Sequence, residues 1–467
     1  MKRPATGSTL LAAAVAAALV VGAVSFNVAI AVFTDTASVP GNTSSTDTLN
    51  PPTGLTATGG ASVTLNWTAT VDAYASGHRV LRGTASGGPY TQIAQVTPRT
   101  TTTYTDTPGG TGTFYYVLRA FYQNWESANS SQASATKTGG TKSIQTGTVS
   151  MTAATRTATI ATVDPAKSFV LCYFRTNSSN ASDAPTCTLT NSTTVTVQTG
   201  AANSSEIVQW YVVEFATGMT VQRGSTNFTT TDTTINVSTT AVDTAKTFVL
   251  VNSRTASTAQ NIDEQGTIRA RLTSSTNLEL SRNEAGIAVD AVWQVIQIDS
   301  ASVQSGVTTI TSTNTSATAT IAPVDTAKSF LLLNVRANAL TNGNEDQYYV
   351  RGTITNSTTV TFNRKVGTNS VDVSWFAVEM IDASTVQKGT VSAATTETQL
   401  NATLSPAVDT SLTVPFISSS VTGSGTADQD SGSYTPTFTA TTNLQVQRGS
   451  AQSRPSDVDW FVVQFAP

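Results

Sequence analysis

Beyond residue 50, apolar and polar side chains alternate with a period of two, in short runs broken by Gly, Pro, Asn, Ser and Thr. The first runs are Leu55 and Ala57, then Val63, Leu65 and Trp67, with Gly59-Gly60 between them. Successive side chains of a strand point to opposite faces, so these runs predict two antiparallel strands, each with one buried face. Tyr74, Val80 and Arg82 follow, then a Gly87-Gly88-Pro89-Tyr90 turn, a strand around Ile93, and Tyr104-Thr105-Asp106-Thr107. Phe114-Tyr115-Tyr116-Val117-Leu118-Arg119-Ala120 is a strong strand, and Glu126-Ser127-Ala128-Asn129-Ser130 leads into a last one. Residues 51–138 are therefore expected to form one all-β domain, with Trp67 and Tyr116 in its core. His78, beside Gly77, is expected at an exposed turn.

From residue 142 the alternation belongs to a unit that recurs four times. Each copy opens on Ile144-Gln145-Thr146-Gly147, Val221-Gln222-Arg223-Gly224, Val303-Gln304-Ser305-Gly306 or Val386-Gln387-Lys388-Gly389. A second landmark, Val163-Asp164-Pro165-Ala166-Lys167-Ser168-Phe169, recurs at 242–248 and 324–330 and decays to Val408-Asp409-Thr410-Ser411. The third is a strand tryptophan at Trp210, Trp293, Trp375 and Trp460, spaced by 83, 82 and 85 residues. Val371, Val373, Trp375 and Ala377 alternate with Phe376 and Val378, so this strand is apolar on both faces and is expected between two layers. About six strands fit each copy. The expected repeats are 142–217, 219–299, 301–382 and 384–467, the last divergent. A unit of this size buries only a thin core, which favours packing between copies or self-association.

The N-terminus reads as an export signal. Lys2 and Arg3 precede an apolar stretch from Leu10 to Val32, and Ala29-Ile30-Ala31 is a small-x-small site placing cleavage after Ala31. Residues 1–31 are thus a signal peptide and 32–50 a linker. The alternative is an uncleaved anchor, the one membrane attachment the sequence offers. Both readings export the rest of the chain.

Composition narrows the chemistry. Charged residues are 12% of the 467, the formal net charge is −4, and no basic cluster follows the N-terminus, which excludes a nucleic-acid partner. His78 is the one histidine, so the repeats contain none. Without a histidine base or a phosphate-cradling loop, an enzyme is not expected. Cys172 and Cys187 fall in neighbouring predicted strands; they form either a local disulfide or two buried thiols, and they have the wrong partners for a zinc site. No metal site is expected.

Three resemblances accompany these residues. Trp67 and the Tyr115-x-Val117-x-Arg119 strand, with the order of runs around them, resemble a fibronectin type III domain, which implies an immunoglobulin-like sandwich of seven strands. The order V-Q-x-G, apolar strand, S-T-x-V-x-F, V-x-W-x-A resembles the H-type lectin domain; Val303-Gln304-Ser305-Gly306, Thr359-Val360-Thr361-Phe362 and Val373-Ser374-Trp375-Phe376-Ala377 carry it best. That resemblance implies six-stranded sandwiches, usually trimeric, that bind N-acetylgalactosamine at subunit edges. Gln265 and Gln347 occupy the place of that family's sugar-contacting arginine, while Arg269 and Arg351 fall slightly later. Val32-Phe33-Thr34-Asp35-Thr36-Ala37 resembles the start of camelysin-like and biofilm-matrix fibre proteins and implies export. The expected fold class is all-β: tandem antiparallel sandwiches, one fibronectin-like and four six-stranded.

The most repetitive polar feature is an arginine followed by acids: Arg175 with Asp183, Arg254 with Asp263 and Glu264, Arg336 with Glu345 and Asp346. Two readings stand. Each pair fixes its own loop, or the pairs form polar ligand sites for glycan hydroxyls or Ca²⁺, the one cofactor considered. Asp428 with Asp430, and Asp457 with Asp459, are further Ca²⁺ candidates. The partners expected are glycans, other surface proteins, or further copies of this chain.

Overall fold

A computed structural model describes residues 48–467 apart from 61, 109–111, 138–139, 179–180, 202–205, 257–262, 339–347, 423–428, 451–453 and 467. The signal segment with Ala31 lies outside these residues, as do Glu345, Asp346 and Asp428. The fold is all-β, its paired strands antiparallel and its described helices single turns such as Pro165–Lys167 and Gln429–Gly432. No helix among the described residues is long and apolar enough to cross a membrane.

The N-terminal sandwich packs a sheet of Thr53–Thr58, Val63–Thr68 and Thr103–Asp106 on a second sheet. The second runs Thr91–Val96, Gly77–Gly83, Gly112–Tyr122, with Trp125–Glu126 and Ala133–Lys137 also pairing with Gly112–Tyr122. Val63, Leu65, Trp67, Val80, Tyr116 and Leu118 meet between the sheets. Tyr116 donates its hydroxyl to Asp106 at 2.9 Å, which satisfies the phenol inside the core. His78 departs from the expected exposed turn. It is fully buried in a strand, where Nδ1 accepts from the Trp67 indole at 3.1 Å, and burial lowers its pKa.

Each repeat is two three-stranded sheets. In the third, Ala301–Ile310 and Ser329–Ala337 flank the tryptophan strand Val371–Met380. The outer sheet places Thr359–Asn363 between Ser316–Thr320 and Arg351–Asn356. The other three repeats have the same order.

The V-Q-x-G motif has a physical explanation in this register. Gln304 clamps a loop in both directions, donating to the Ala322 carbonyl at 3.0 Å and accepting from its N–H at 2.6 Å. Gln145, Gln222 and Gln387 clamp the corresponding loops. Gly306 lies opposite Trp375, and a methyl group there would sit 2.5 Å from the indole. Gly147, Gly224 and Gly389 are equally tight, at 2.5 to 2.7 Å. Replacing Gly306 by Ala forces the buried ring to move, at a cost of about 1–3 kcal/mol; thermal denaturation of that variant checks this. The Asp-x-x-Lys landmark is turn chemistry: Asp164, Asp243 and Asp325 each accept the N–H two residues on, at 3.0, 3.0 and 2.9 Å.

The four repeats are not strung out in a line. They close into a ring. At every junction the outer-sheet strand beginning near Thr186, Arg269, Arg351 or Tyr434 docks on the tryptophan strand of the next repeat. Gln294 exchanges two hydrogen bonds with the Val170 backbone across junction 1–2. Ser374 donates to the Ala270 carbonyl across 2–3, and Lys388 to the Ile354 carbonyl across 3–4. Tyr211 donates to the Pro436 carbonyl across 4–1, and the Thr141 N–H to the Ala466 carbonyl closes the circle. The landmark phenylalanines meet inside, Phe169 to Phe248 at 6.2 Å and Phe248 to Phe330 at 6.3 Å, and Phe416 of repeat 4 stacks on Phe330 at 4.7 Å. One apolar core therefore runs through all four copies, offsetting the thin interior of each. Such a head-to-tail interface closes when the rotation per unit divides the circle.

Candidate functional site

The arginines of the expected arginine–acid pairs bond to other groups among the described residues. Arg254 stands directly across from Asp290 in the tryptophan strand and donates to it at 2.7 Å. Arg336 does the same to Asp372 at 2.5 Å. Arg175 faces Ile207 instead, so its guanidinium crosses junction 4–1 to Thr435 at 2.6 Å and Gln447 at 2.7 Å. Asp183 is buried away from Arg175, with Thr176 donating to it at 3.4 Å. The side chains of Asp263 and Glu264 lie outside the described residues, as do Glu345 and Asp346. Asp457 and Asp459 hold a junction: Arg351 reaches Asp459 at 2.8 Å and Lys365 reaches Asp457 at 2.5 Å. Cys172 and Cys187 are joined by a disulfide with Cα atoms 6.0 Å apart. No cluster of three or more His, Cys, Asp or Glu suited to a metal occurs among the described residues.

Of the acids three residues before the tryptophan, the sequence reading names Asp457 and misses Asp290 and Asp372. That position is Asp290, Asp372 and Asp457 in repeats 2 to 4, and Ile207 in repeat 1. The missed partner is the first outer-strand residue of the preceding repeat, which is Arg269 before Asp372 and Arg351 before Asp457. Asp372 thus receives Arg336 from its own sheet and Arg269 from repeat 2, and Thr309 donates at 2.6 Å. Burial by itself raises the Asp372 pKa, but hydrogen bonds from Thr309, Asn338 and Arg336 outweigh it and hold the carboxyl below its ordinary range. The Asp372 side chain is 10% exposed and that of Asp457 15%. Both junctions are sealed.

Junction 1–2 is different. In register, Thr186 takes the place of Arg269 and Arg351, pairing with Gln198 as they pair with Ser281 and Asn363. No guanidinium crosses to Asp290, whose side chain stays 39% exposed with Arg254 and Asn227 on its two oxygens. A cleft of about 580 Å³ opens there. Thr188, Thr196, Gln198, Asn227, Arg254 and Asp290 supply its polar groups, and Leu189 and Val292 part of its apolar wall. Arg223 at its edge donates to the Pro165 and Ser168 carbonyls of repeat 1, and burial pulls its pKa down to about 10.

No family model matches the chain, and no curated protein matches it. Solved structures do. A Fn3-like protein from Clostridium thermocellum is 39% identical, with 20% of this chain and 95% of that chain covered, at a TM-score of 0.18. Titin kinase and its flanking domains match at 13% identity over 37% of this chain and 38% of that one, with a TM-score of 0.18. The FN1–FN3 domains of chicken CNTN1 match at 12% over 35% and 63%, with a TM-score of 0.17. The three-strand sheet facing the sheet around Gly112–Tyr122, with Trp67 between them, decides the N-terminal unit. This unit is fibronectin type III-like.

Proposed function

We propose that this chain is an exported surface or matrix protein whose ring of repeats binds a glycan in the junction 1–2 cleft. The observation that carries the reading is the opening of one junction where Thr186 replaces a sealing arginine. Amide and hydroxyl groups there, with one half-exposed Arg254–Asp290 pair, suit an array of sugar hydroxyls, each of which both donates and accepts. The H-type lectin resemblance is in keeping with a site between neighbouring units. A disulfide within repeat 1 and the N-terminal apolar stretch support export, because disulfides persist in oxidising compartments.

The test is a glycan array on the full chain. The reading expects reproducible binding that falls at least tenfold in Asp290→Ala and in Thr186→Arg, the second closing the cleft in the way Arg269 closes its own junction. Clean arrays together with spontaneous filaments would favour a purely structural stalk or fibre, the alternative role.

A further inference from the structure

One buried polar position separates the first repeat from the other three. The residue ending the central outer strand is Arg282, Arg364 or Arg448 in repeats 2 to 4, and Thr199 in repeat 1. Its N–H makes the same bond in every copy, to the carbonyls of Ala154, Thr233, Thr315 and Thr398. Thr199, Arg282 and Arg364 each lie eleven residues before the strand tryptophan, and Arg448 lies twelve before it.

The three arginines are 1%, 3% and 2% exposed, and main-chain oxygens surround them. Arg282 donates to the carbonyls of Thr229, Asp232, Gln265 and Ile287. Arg364 donates to Thr311, Asn314 and Asn369. Arg448 donates to Ala394, Glu397, Ser431 and Arg454. The fold thus builds a carbonyl cradle around a fixed positive charge at this point.

In repeat 1 the charge is missing. Thr199 is 1% exposed and gives its hydroxyl to the Ala201 carbonyl at 2.8 Å, and two carboxyls are buried nearby. The Ser182 carbonyl stands where Gln265 and Ser431 stand, each 17 residues before the cradle residue, and here it accepts from Gly200. Asp183, next in the chain, is 1% exposed, and Glu206 is fully buried. Neither carboxylate oxygen of Glu206 receives a hydrogen bond. Its neighbour is the Asp183 carboxyl, and as carboxylates neither has a donor for the other. An uncompensated buried carboxylate is costly, and a cation removes that cost.

We propose that the first repeat binds a hard divalent cation between Asp183 and Glu206, in the place where the other repeats carry a guanidinium. Carboxylate oxygens beside main-chain carbonyls are the donor set such cations prefer. The site adjoins the junction cleft, whose Arg254 donates to the Thr199 carbonyl at 3.4 Å, but it does not depend on what that cleft binds.

Calcium is the probe. Isothermal titration of the metal-stripped full chain with CaCl₂ is expected to show one saturable site. Millimolar Ca²⁺ is expected to raise the melting temperature by a few degrees, since a ligand bound to the folded state stabilises it by mass action. Both effects should vanish in Glu206→Gln. They should vanish also in Thr199→Arg, which supplies the cation internally and should melt without Ca²⁺ at least as high as the wild type. The opposite result is no heat and no shift in the wild type, with Glu206→Gln as stable as the parent at neutral pH. The two acids would then simply share a proton, and the proposal would be wrong.

Discussion

Asp372→Ala is expected to destabilise the repeat ring by about 3–5 kcal/mol, because it removes the buried carboxylate on which arginines from two repeats converge. Arg269, 7% exposed in its side chain, and Arg336 both converge on this carboxylate from different repeats. Glu279 still holds Arg269 at 3.0 Å, whereas Arg336 loses its carboxylate partner. Unlike an exposed ion pair, worth little, this one lies at a covered seam where the remaining charges lose both water and partner. Chemical denaturation would show the loss as a lower midpoint. The pH dependence has a definite sign. Asp372 has a folded pKa below its ordinary 3.8, so the stability it provides is present above about pH 4 and is lost as the pH falls through the folded value. Acid should therefore weaken the wild-type junction and leave Asp372→Ala less affected.

The second large effect is expected at Arg364. Replacing it by Ala removes a guanidinium that satisfies the carbonyls of Thr311, Asn314 and Asn369, and it empties a site that is 3% exposed. Buried acceptors without donors cost about 1–3 kcal/mol each, so the loss should reach about 4 kcal/mol, in the extreme tail of point substitutions. Arg364→Lys should recover only part of it, since an ammonium cannot match the planar fork that reaches three separate carbonyls. Thermal melts of the two variants side by side would check the order.

Much of the fold was legible because its signals are local. Gly306 opposite Trp375, the Gln304 clamp and the Asp325 turn each constrain residue type at a fixed spacing, and they recur in four copies. The site was less legible. Arg254 and Arg336 were matched with acids beginning nine residues downstream, whereas both pair with a carboxylate 36 residues away. Such partners follow only from strand register, which alternation by itself does not set across a sheet. His78 misled for a similar reason: its neighbour Gly77 suggested a turn, but that glycine sits in a strand where a methyl group would meet the Val96 carbonyl at 2.2 Å. Ring closure depends on Thr186, Arg269, Arg351 and Thr435 facing the next repeat, and no single copy reveals that.

Closure of the ring is the claim on which the junctions, the cleft and the shared core all depend. In a closed ring Gly449 of repeat 4 packs against Thr176 and Asn177 of repeat 1, on opposite ends of the array's sequence. Nitroxides on Asn177→Cys and Ser450→Cys, measured by pulsed electron resonance in the full chain, should give one short, narrow distance. A long or broad distribution, as two intervening repeats laid end to end would produce, would contradict the ring.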